Sequence, residues 1–143
     1  MVVVATVGRI LLLAWEVSAV QEEPWRRLVQ ELSYARSDEE YMESRRRLGV
    51  WAESVWLVPR PSGGGVAVVC LEALDPERAL GELAASEAPF DSWYSGAMRE
   101  LFGFDLGRLP RAPSSELLFT WRDDRAPLER QAPKTSPPEG PLR

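Results

Sequence analysis

VWAESVWLVPRPSGGGVAVVCLEA, residues 50–73, is the stretch that decides the fold. Two runs rich in β-branched, aliphatic and aromatic residues, Val50–Val58 and Val66–Ala73, flank a link that contains two prolines and three glycines. Runs of this kind joined by a Gly- and Pro-rich turn are typical of an antiparallel hairpin. The triple glycine is not a phosphate-binding loop, because a β-run follows it and no Lys-Ser/Thr pair opens a helix. The stretch therefore predicts two paired strands.

Alternation along this hairpin assigns its side chains to two faces. We expect Trp56 to lie about opposite Cys70, and residues of equal parity on paired strands share a face. One face is then purely aliphatic and should pack on helices; it carries Val55, Leu57, Val69, Leu71 and Ala73. The opposite face is chemically mixed and carries Ser54, Trp56, Val58, Val68, Cys70 and Glu72.

Helical periodicity lies on both sides of the hairpin. Upstream, residues 21–48 predict one long or one broken amphipathic helix. Downstream, Asp75 and Asp91 each precede an apolar stripe of helical spacing, and we interpret both aspartates as N-caps. The Arg45–Arg47 run is interpreted as charge that a helix C-terminus favours, rather than as an anion site.

The apolar N-terminal run, Met1–Trp15, predicts a buried strand. A signal peptide or membrane anchor is disfavoured, because the run lacks a basic start, Arg9 interrupts it, and it is too short to span a bilayer. On this strand we assign four residues to the mixed face: Ile10, Leu12, Ala14 and Glu16.

Near the other end, Glu116–Trp121 predicts the last strand. Leu117, Phe119 and Trp121 should face the helices, with Leu118, Thr120 and Arg122 on the mixed face. Residues 123–143 contain five prolines and predict a disordered tail. The order is β-α-β-β-α-β, so we expect one ferredoxin-like α+β domain over residues 1–122, with a four-stranded antiparallel sheet and helices on one face.

Composition excludes several functional classes. The 143 residues suit one domain, and 17 basic against 22 acidic residues give a net charge of −5, so we expect no nucleic-acid partner. We expect no membrane partner, because the apolar N-terminal run is too short to span a bilayer. The absence of histidine excludes Ser-His-Asp triads and His-ligated metals. A single cysteine agrees with a reducing cytosol, so we expect a cytoplasmic protein. We predict no metal and no cofactor.

Several stretches resemble an uncharacterised bacterial family of the dimeric α+β-barrel superfamily. These are Val50–Leu57, Val68–Ala73 followed by Asp75–Ala79, and Ala85–Asp91 followed by Glu100–Leu106. The resemblance covers about residues 9 to 121. It implies a homodimer that packs two sheets face to face. The wider superfamily includes monooxygenases, polyketide cyclases, haem-degrading enzymes and sugar mutarotases, many of which use a histidine that this chain lacks.

The mixed face is the candidate site, and three hypotheses follow from it. The first is a pocket for a planar or hydrophobic metabolite, with these candidate ligand-binding residues: Trp56, Ser54, Cys70, Glu72, Glu16, Thr120 and Arg122. The second is a cofactor-free cyclase, isomerase or monooxygenase with Glu72 or Glu53 as base, because burial of a carboxyl group in an apolar pocket raises its pKa. The third is a structural or regulatory dimer with a dry interface. Cys70 is predicted to be buried and unreactive.

Overall fold

The computed structural model describes residues 2–35, 38–109 and 116–123. The elements in chain order are β1 (Val2–Val7), β2 (Ile10–Val17), α1 (Ala19–Ala35), α2 (Glu39–Leu48), β3 (Val50–Pro59), β4 (Gly65–Ala73), α3 (Pro76–Ala85), α4 (Pro89–Phe102) and a 3-10 turn (Leu106–Arg108). The strands form one sheet in the order β1-β2-β4-β3, and every neighbouring pair is antiparallel.

The predicted fold class is confirmed: the sheet is four-stranded and antiparallel, in an α+β arrangement consistent with a ferredoxin-like fold. The helices cover one face. Alternate residues of the two central strands are buried on that face: Leu11, Leu13, Trp15 and Val17 of β2, and Ala67, Val69, Leu71 and Ala73 of β4. The core also includes Trp25, Leu28 and Leu32 of α1 and Phe90, Tyr94 and Met98 of α4, together with these residues of the other elements: Val4, Leu48, Val50, Ala79, Leu83 and Leu106.

The edge strand beside β2 is formed by a different part of the chain from the one predicted. The N-terminal run is a hairpin rather than one strand, because Gly8, at φ 56°, and Arg9 form a two-residue turn between β1 and β2. β1 therefore occupies the edge expected for Glu116–Trp121. The described residues 116–123 contain no strand, and Leu117, Phe119 and Trp121 are 66%, 82% and 75% exposed, so their assignment to the helix-facing layer is wrong.

The β3–β4 hairpin forms as predicted, with a shifted register. Trp56 pairs with Val68, and Ser54, not Trp56, lies opposite Cys70. A shift of two residues leaves every side chain on its predicted face, because the side-chain period of a strand is two. A bulge between Val50 and Ala52 interrupts the pairing at Trp51.

The helices correct several expectations about their ends. Residues 21–48 form the broken alternative, and α1 begins after Ser18, whose hydroxyl accepts from the Gln21 amide. Asp75 is a confirmed N-cap, with its carboxylate accepting from the Arg78 amide at 3.2 Å. Asp91 is not a cap: it lies inside α4, where it is fully buried.

Two arginines of the Arg45–Arg47 run make specific contacts that the helix-dipole interpretation did not anticipate. Arg47 pairs with the buried Asp91, which also accepts a hydrogen bond from Ser44. Arg45 pairs with Glu53 of β3. The run therefore fastens α2 to α4 and to the sheet.

Two further findings concern the predicted C-terminal tail and the length and polarity of the helices. The predicted disordered tail, 123–143, lies outside the described residues except for Asp123. Within the described ranges, every helix is too short or too polar to cross a bilayer.

Candidate functional site

The sheet face opposite the helices, here called the open face, contains the candidate site. Strand pairing sets its members, because paired residues of an antiparallel sheet point to the same side. They are Val3, Ala5 and Val7 of β1; Ile10, Leu12, Ala14 and Glu16 of β2; Val66, Val68, Cys70 and Glu72 of β4; and Ala52, Ser54, Trp56 and Val58 of β3. Val3, Trp56 and Val58 are 54%, 61% and 59% exposed. The open face is thus an apolar layer that the described helices leave uncovered.

Small side chains lie in the middle of the open face. One row across the sheet reads Ala5, Leu12, Cys70, Ser54, and the next reads Val3, Ala14, Val68, Trp56. Leu12 is the single large side chain of the first row. Trp56 projects from the sheet at the β3 edge. The small side chains next to it leave a shallower, apolar surface beside the indole.

The charged side chains of the open face lie at its two ends and have partners. Glu72 accepts a hydrogen bond from the indole N–H of Trp51 at 3.2 Å, and the Arg9 guanidinium lies 5.7 Å from the centre of the Trp51 ring. At the other end, Glu16 accepts from Arg60 at 2.8 Å. This hydrogen bond and the positive charge of Arg60 lower the pKa of Glu16.

Glu53 lies on the opposite side of the sheet from Glu72. Its carboxylate accepts from Arg45 Nε at 2.9 Å and from the Tyr41 hydroxyl at 2.7 Å, and the Arg45 and Glu53 side chains are 9% and 8% exposed. The Arg45 guanidinium also lies 4.8 Å and 5.3 Å from the ring centres of Tyr41 and Phe90. Burial, followed by the negative charge of Glu53, raises the pKa of Tyr41 to about 12. Both Glu53 oxygens are engaged beneath α2, so Glu72 is the better placed of the two candidate bases.

Five of the seven predicted ligand-binding residues share the open face, with Glu16 and Glu72 at its opposite ends. Glu16, Ser54, Trp56, Cys70 and Glu72 lie on the open face. Thr120 and Arg122 do not: their segment is coil and both are exposed, so their predicted place in the sheet is wrong. Cys70 is half-buried rather than buried.

The sequence interpretation missed five members of this region, one of which is Ala52, the open-face partner of Glu72. Val3, Ala5 and Val7 join the open face through β1, and the Gly8-Arg9 pair was the signal that could have revealed that strand. Trp51 contacts Glu72 from the β3 bulge, for which the sequence offered no signal.

A separate hollow lies on the helix side, between β1, α3 and the 3-10 turn. This cleft has a volume of about 480 Å³. Its lining is mixed: Leu11, Leu80, Ala84 and Leu106 are among its aliphatic members, and Glu77, Asp105 and Arg108 are its charged members. A Cβ atom built on Gly81 would meet nothing within 4 Å, so a larger residue there would project into open space. The cleft is large enough for a small ligand.

Comparison of the chain with protein-family models, with curated proteins and with solved structures gave no match. The resemblance to the dimeric α+β-barrel superfamily therefore stays a prediction. Among the described residues, no group of three or more His, Cys, Asp or Glu side chains could hold a metal ion.

Proposed function

We propose that this chain acts as a homodimer whose two open faces pack against each other and hold a planar or hydrophobic small molecule between them. The observation that carries the proposal is the uncovered apolar sheet face, on which Trp56 and Val58 are 61% and 59% exposed. Contiguous apolar surface of this kind on a water-soluble domain marks an interaction site.

The size of the open face agrees with a dimer. Four strands about 4.8 Å apart and about eight residues long at about 3.3 Å per residue cover roughly 500 Å² in each copy. Two copies would bury roughly 1,000 Å², near the lower limit for a specific interface. Further contacts at the sheet edges would bring the interface into the usual range.

The central row of small residues favours a ligand over a dry contact. Packed sheets lie about 10 Å apart, and side chains from both sheets must fill that space. Ala5, Ser54 and Cys70 are too short to do so, and the gap is bordered by the Trp56 indole. An aromatic or aliphatic molecule stacked on Trp56 would fill it. A cytosolic location is part of this proposal, because Cys70 on such a face suits a reducing compartment.

Catalysis by Glu72 is the second candidate function. Its carboxylate borders the apolar face and is oriented by the Trp51 indole N–H, which is the arrangement that a general base needs. The test measures turnover of a cyclase, isomerase or monooxygenase substrate by Glu72→Gln. A variant that binds ligand and dimerises normally but loses this turnover would support the alternative. Unchanged turnover would remove Glu72 from the mechanism.

The dimer is tested with two matched valine variants. Val68 lies in the centre of the open face, whereas Val20 is 86% exposed on α1. We expect Val68→Arg to weaken dimerisation at least about tenfold, because two buried cations would face each other, and Val20→Arg to have no effect. Sedimentation equilibrium measures both. A wild-type chain that stays monomeric at high concentration would overturn the proposal.

The ligand site is tested with the neutral fluorescent probe N-phenyl-1-naphthylamine. We expect probe fluorescence to rise with the wild-type dimer, to be lost in Val68→Arg and to persist in Gly81→Leu, which fills the cleft on the helix side. Probe fluorescence that persists in Val68→Arg and is lost in Gly81→Leu would instead indicate binding in that cleft. A flat titration with a stable dimer would indicate the dry structural or regulatory dimer.

A further inference from the structure

We propose that residues 117–121 of one copy form an added β-strand along the free edge of β3 in the second copy. The inference rests on the proposed dimer and specifies how its two chains are joined. It commits to one occupant of the β3 edge, a segment of a second copy of this chain.

The segment has the composition of a strand and lacks burial in the single chain. Leu117, Leu118, Phe119 and Trp121 are 66%, 85%, 82% and 75% exposed. A run of large apolar side chains is rarely left exposed to water, because burial of apolar surface lowers the free energy. Aliphatic and aromatic residues also favour the extended, half-buried backbone of a sheet. The segment is therefore suited to pair with an existing strand.

The free edge of β3 is suited to receive it. Among the strands of the described ranges, β3 is the longest, with ten residues, and β4 is its single partner. Edges are usually protected by charges, prolines or bulges. In β3 the bulge at Trp51 and the proline at Pro59 lie at the two ends, so the stretch 54–58 is left accessible.

A groove beside this edge fits the apolar side of the segment. It lies between α1 and β3, has a volume of about 360 Å³, and includes Trp25, Val29, Val55 and Leu57 in its lining. An added strand would direct alternate side chains to each side of the sheet. Leu117, Phe119 and Trp121 would enter the groove, and Leu118 and Thr120 would extend the open face beside Trp56.

Geometry favours a second copy as the source. Leu109, the last described residue before the segment, lines the cleft beside β1, at the opposite edge of the sheet from β3. In one chain the segment would have to cross the whole sheet, three strand spacings or about 14 Å, over its helix-covered face or over the open face that the proposed dimer covers. In a face-to-face pair with a two-fold axis parallel to the strands, the β1 edge of one copy lies against the β3 edge of the other, about 10 Å away. The eight steps from Leu109 to Leu117 span at most about 26 Å, which is enough.

Hydrogen exchange of the wild-type chain, residues 1–143, tests the pairing. In the dimer we expect the amides of 117–121 and of 54–58 to exchange at least about tenfold more slowly than in the Val68→Arg monomer. A dimer that protects 66–72 but leaves 117–121 as fast as in the monomer would overturn the strand addition while leaving the proposed dimer intact. A wild-type chain without any dimer would overturn both.

Mixed cross-linking tests whether the strand comes from the other chain. Two single-cysteine variants in a Cys70→Ser background, one with Val58→Cys and the other with Thr120→Cys, are mixed and treated with a short bis-maleimide. We expect a covalent heterodimer, which pairing within one chain cannot give. Replacing Val58→Cys by Val20→Cys is the control and should give none. Equal yields from both mixtures would overturn the inference.

Discussion

Replacing Glu53 by glutamine should destabilise the fold strongly, although Glu53 lies on none of the surfaces proposed for binding. The substitution keeps the size of the side chain and removes its charge. Arg45 then retains a positive charge in a site where its side chain is 9% exposed. Breaking a buried ion pair by removing one partner costs about 3–5 kcal/mol, because the other charge stays buried without compensation.

The aromatic neighbours of Arg45 reduce this cost. Its guanidinium lies 4.8 Å from the Tyr41 ring centre and 5.3 Å from that of Phe90, and such contacts retain about 2 kcal/mol of stabilisation for a desolvated cation. The expected loss in the free energy of unfolding is therefore about 1–3 kcal/mol. For a domain of this size it corresponds to a fall in Tm of about 7 °C.

Urea denaturation of three proteins measures the effect. The wild type and Glu53→Gln are compared with the double variant Arg45→Met/Glu53→Leu, which replaces the whole pair by apolar groups of similar volume. We expect the double variant to recover most of the lost stability, because no charge remains to be desolvated. A Glu53→Gln protein within about 0.5 kcal/mol of the wild type, or a double variant as unstable as the single one, would refute the reasoning.

Three further predictions use the same denaturation assay. Asp91→Ala should lower the free energy of unfolding by about 3 kcal/mol, because it removes a fully buried carboxylate that contacts both Ser44 and Arg47. Asp75→Ala should lower it by about 1 kcal/mol, because only a helix cap is lost, and equal losses would contradict the two roles. The pKa of Tyr41 is raised from 10.0 to about 12, so its contribution to stability is complete below pH 10 and is lost as the pH rises through 12; Tyr41→Phe should flatten the decline over that interval, and an unchanged decline would exclude Tyr41 as its cause. Gly64→Ala should be severely destabilising, because a Cβ there would lie 2.2 Å from the carbonyl oxygen of Val17. Gly81→Ala, in open space within α3, should instead stabilise the fold by about 0.5–1 kcal/mol. Similar effects of the two substitutions would contradict the turn geometry.

The faces of the β3–β4 hairpin could be predicted from the sequence because alternation is a local property. The register was wrong by two residues, yet Val55 and Leu57 still face the helices, and Trp56 and Cys70 still face away from them. An error of one residue would have exchanged the two faces. The same alternation places Glu53 with Val55 and Leu57, where a buried carboxylate requires a cationic partner. The identity of that partner, Arg45, depends on how α2 packs on the sheet.

Asp91 shows where local patterns fail. An aspartate before an apolar stripe is typical of an N-cap, and at Asp75 the pattern predicts the structure correctly. At Asp91 the stronger contacts come from Ser44 and Arg47, more than forty residues away in the sequence. No spacing within α4 indicates those partners, so the role of this carboxylate follows only from tertiary packing.

Glu116–Trp121 raises a different question, because its local signals for a strand are as clear as those of β1. A strand is stabilised by hydrogen bonds to a neighbour, so composition alone does not determine whether it forms. The predicted place beside β2 is taken by β1, which needs only the Gly8-Arg9 turn to pair there and therefore loses little chain entropy. A C-terminal segment that reached the same edge would have to displace it. The strand pattern and the exposure of Phe119 and Trp121 are compatible when the pairing partner belongs to another chain, which is the condition that the mixed cross-linking experiment examines directly.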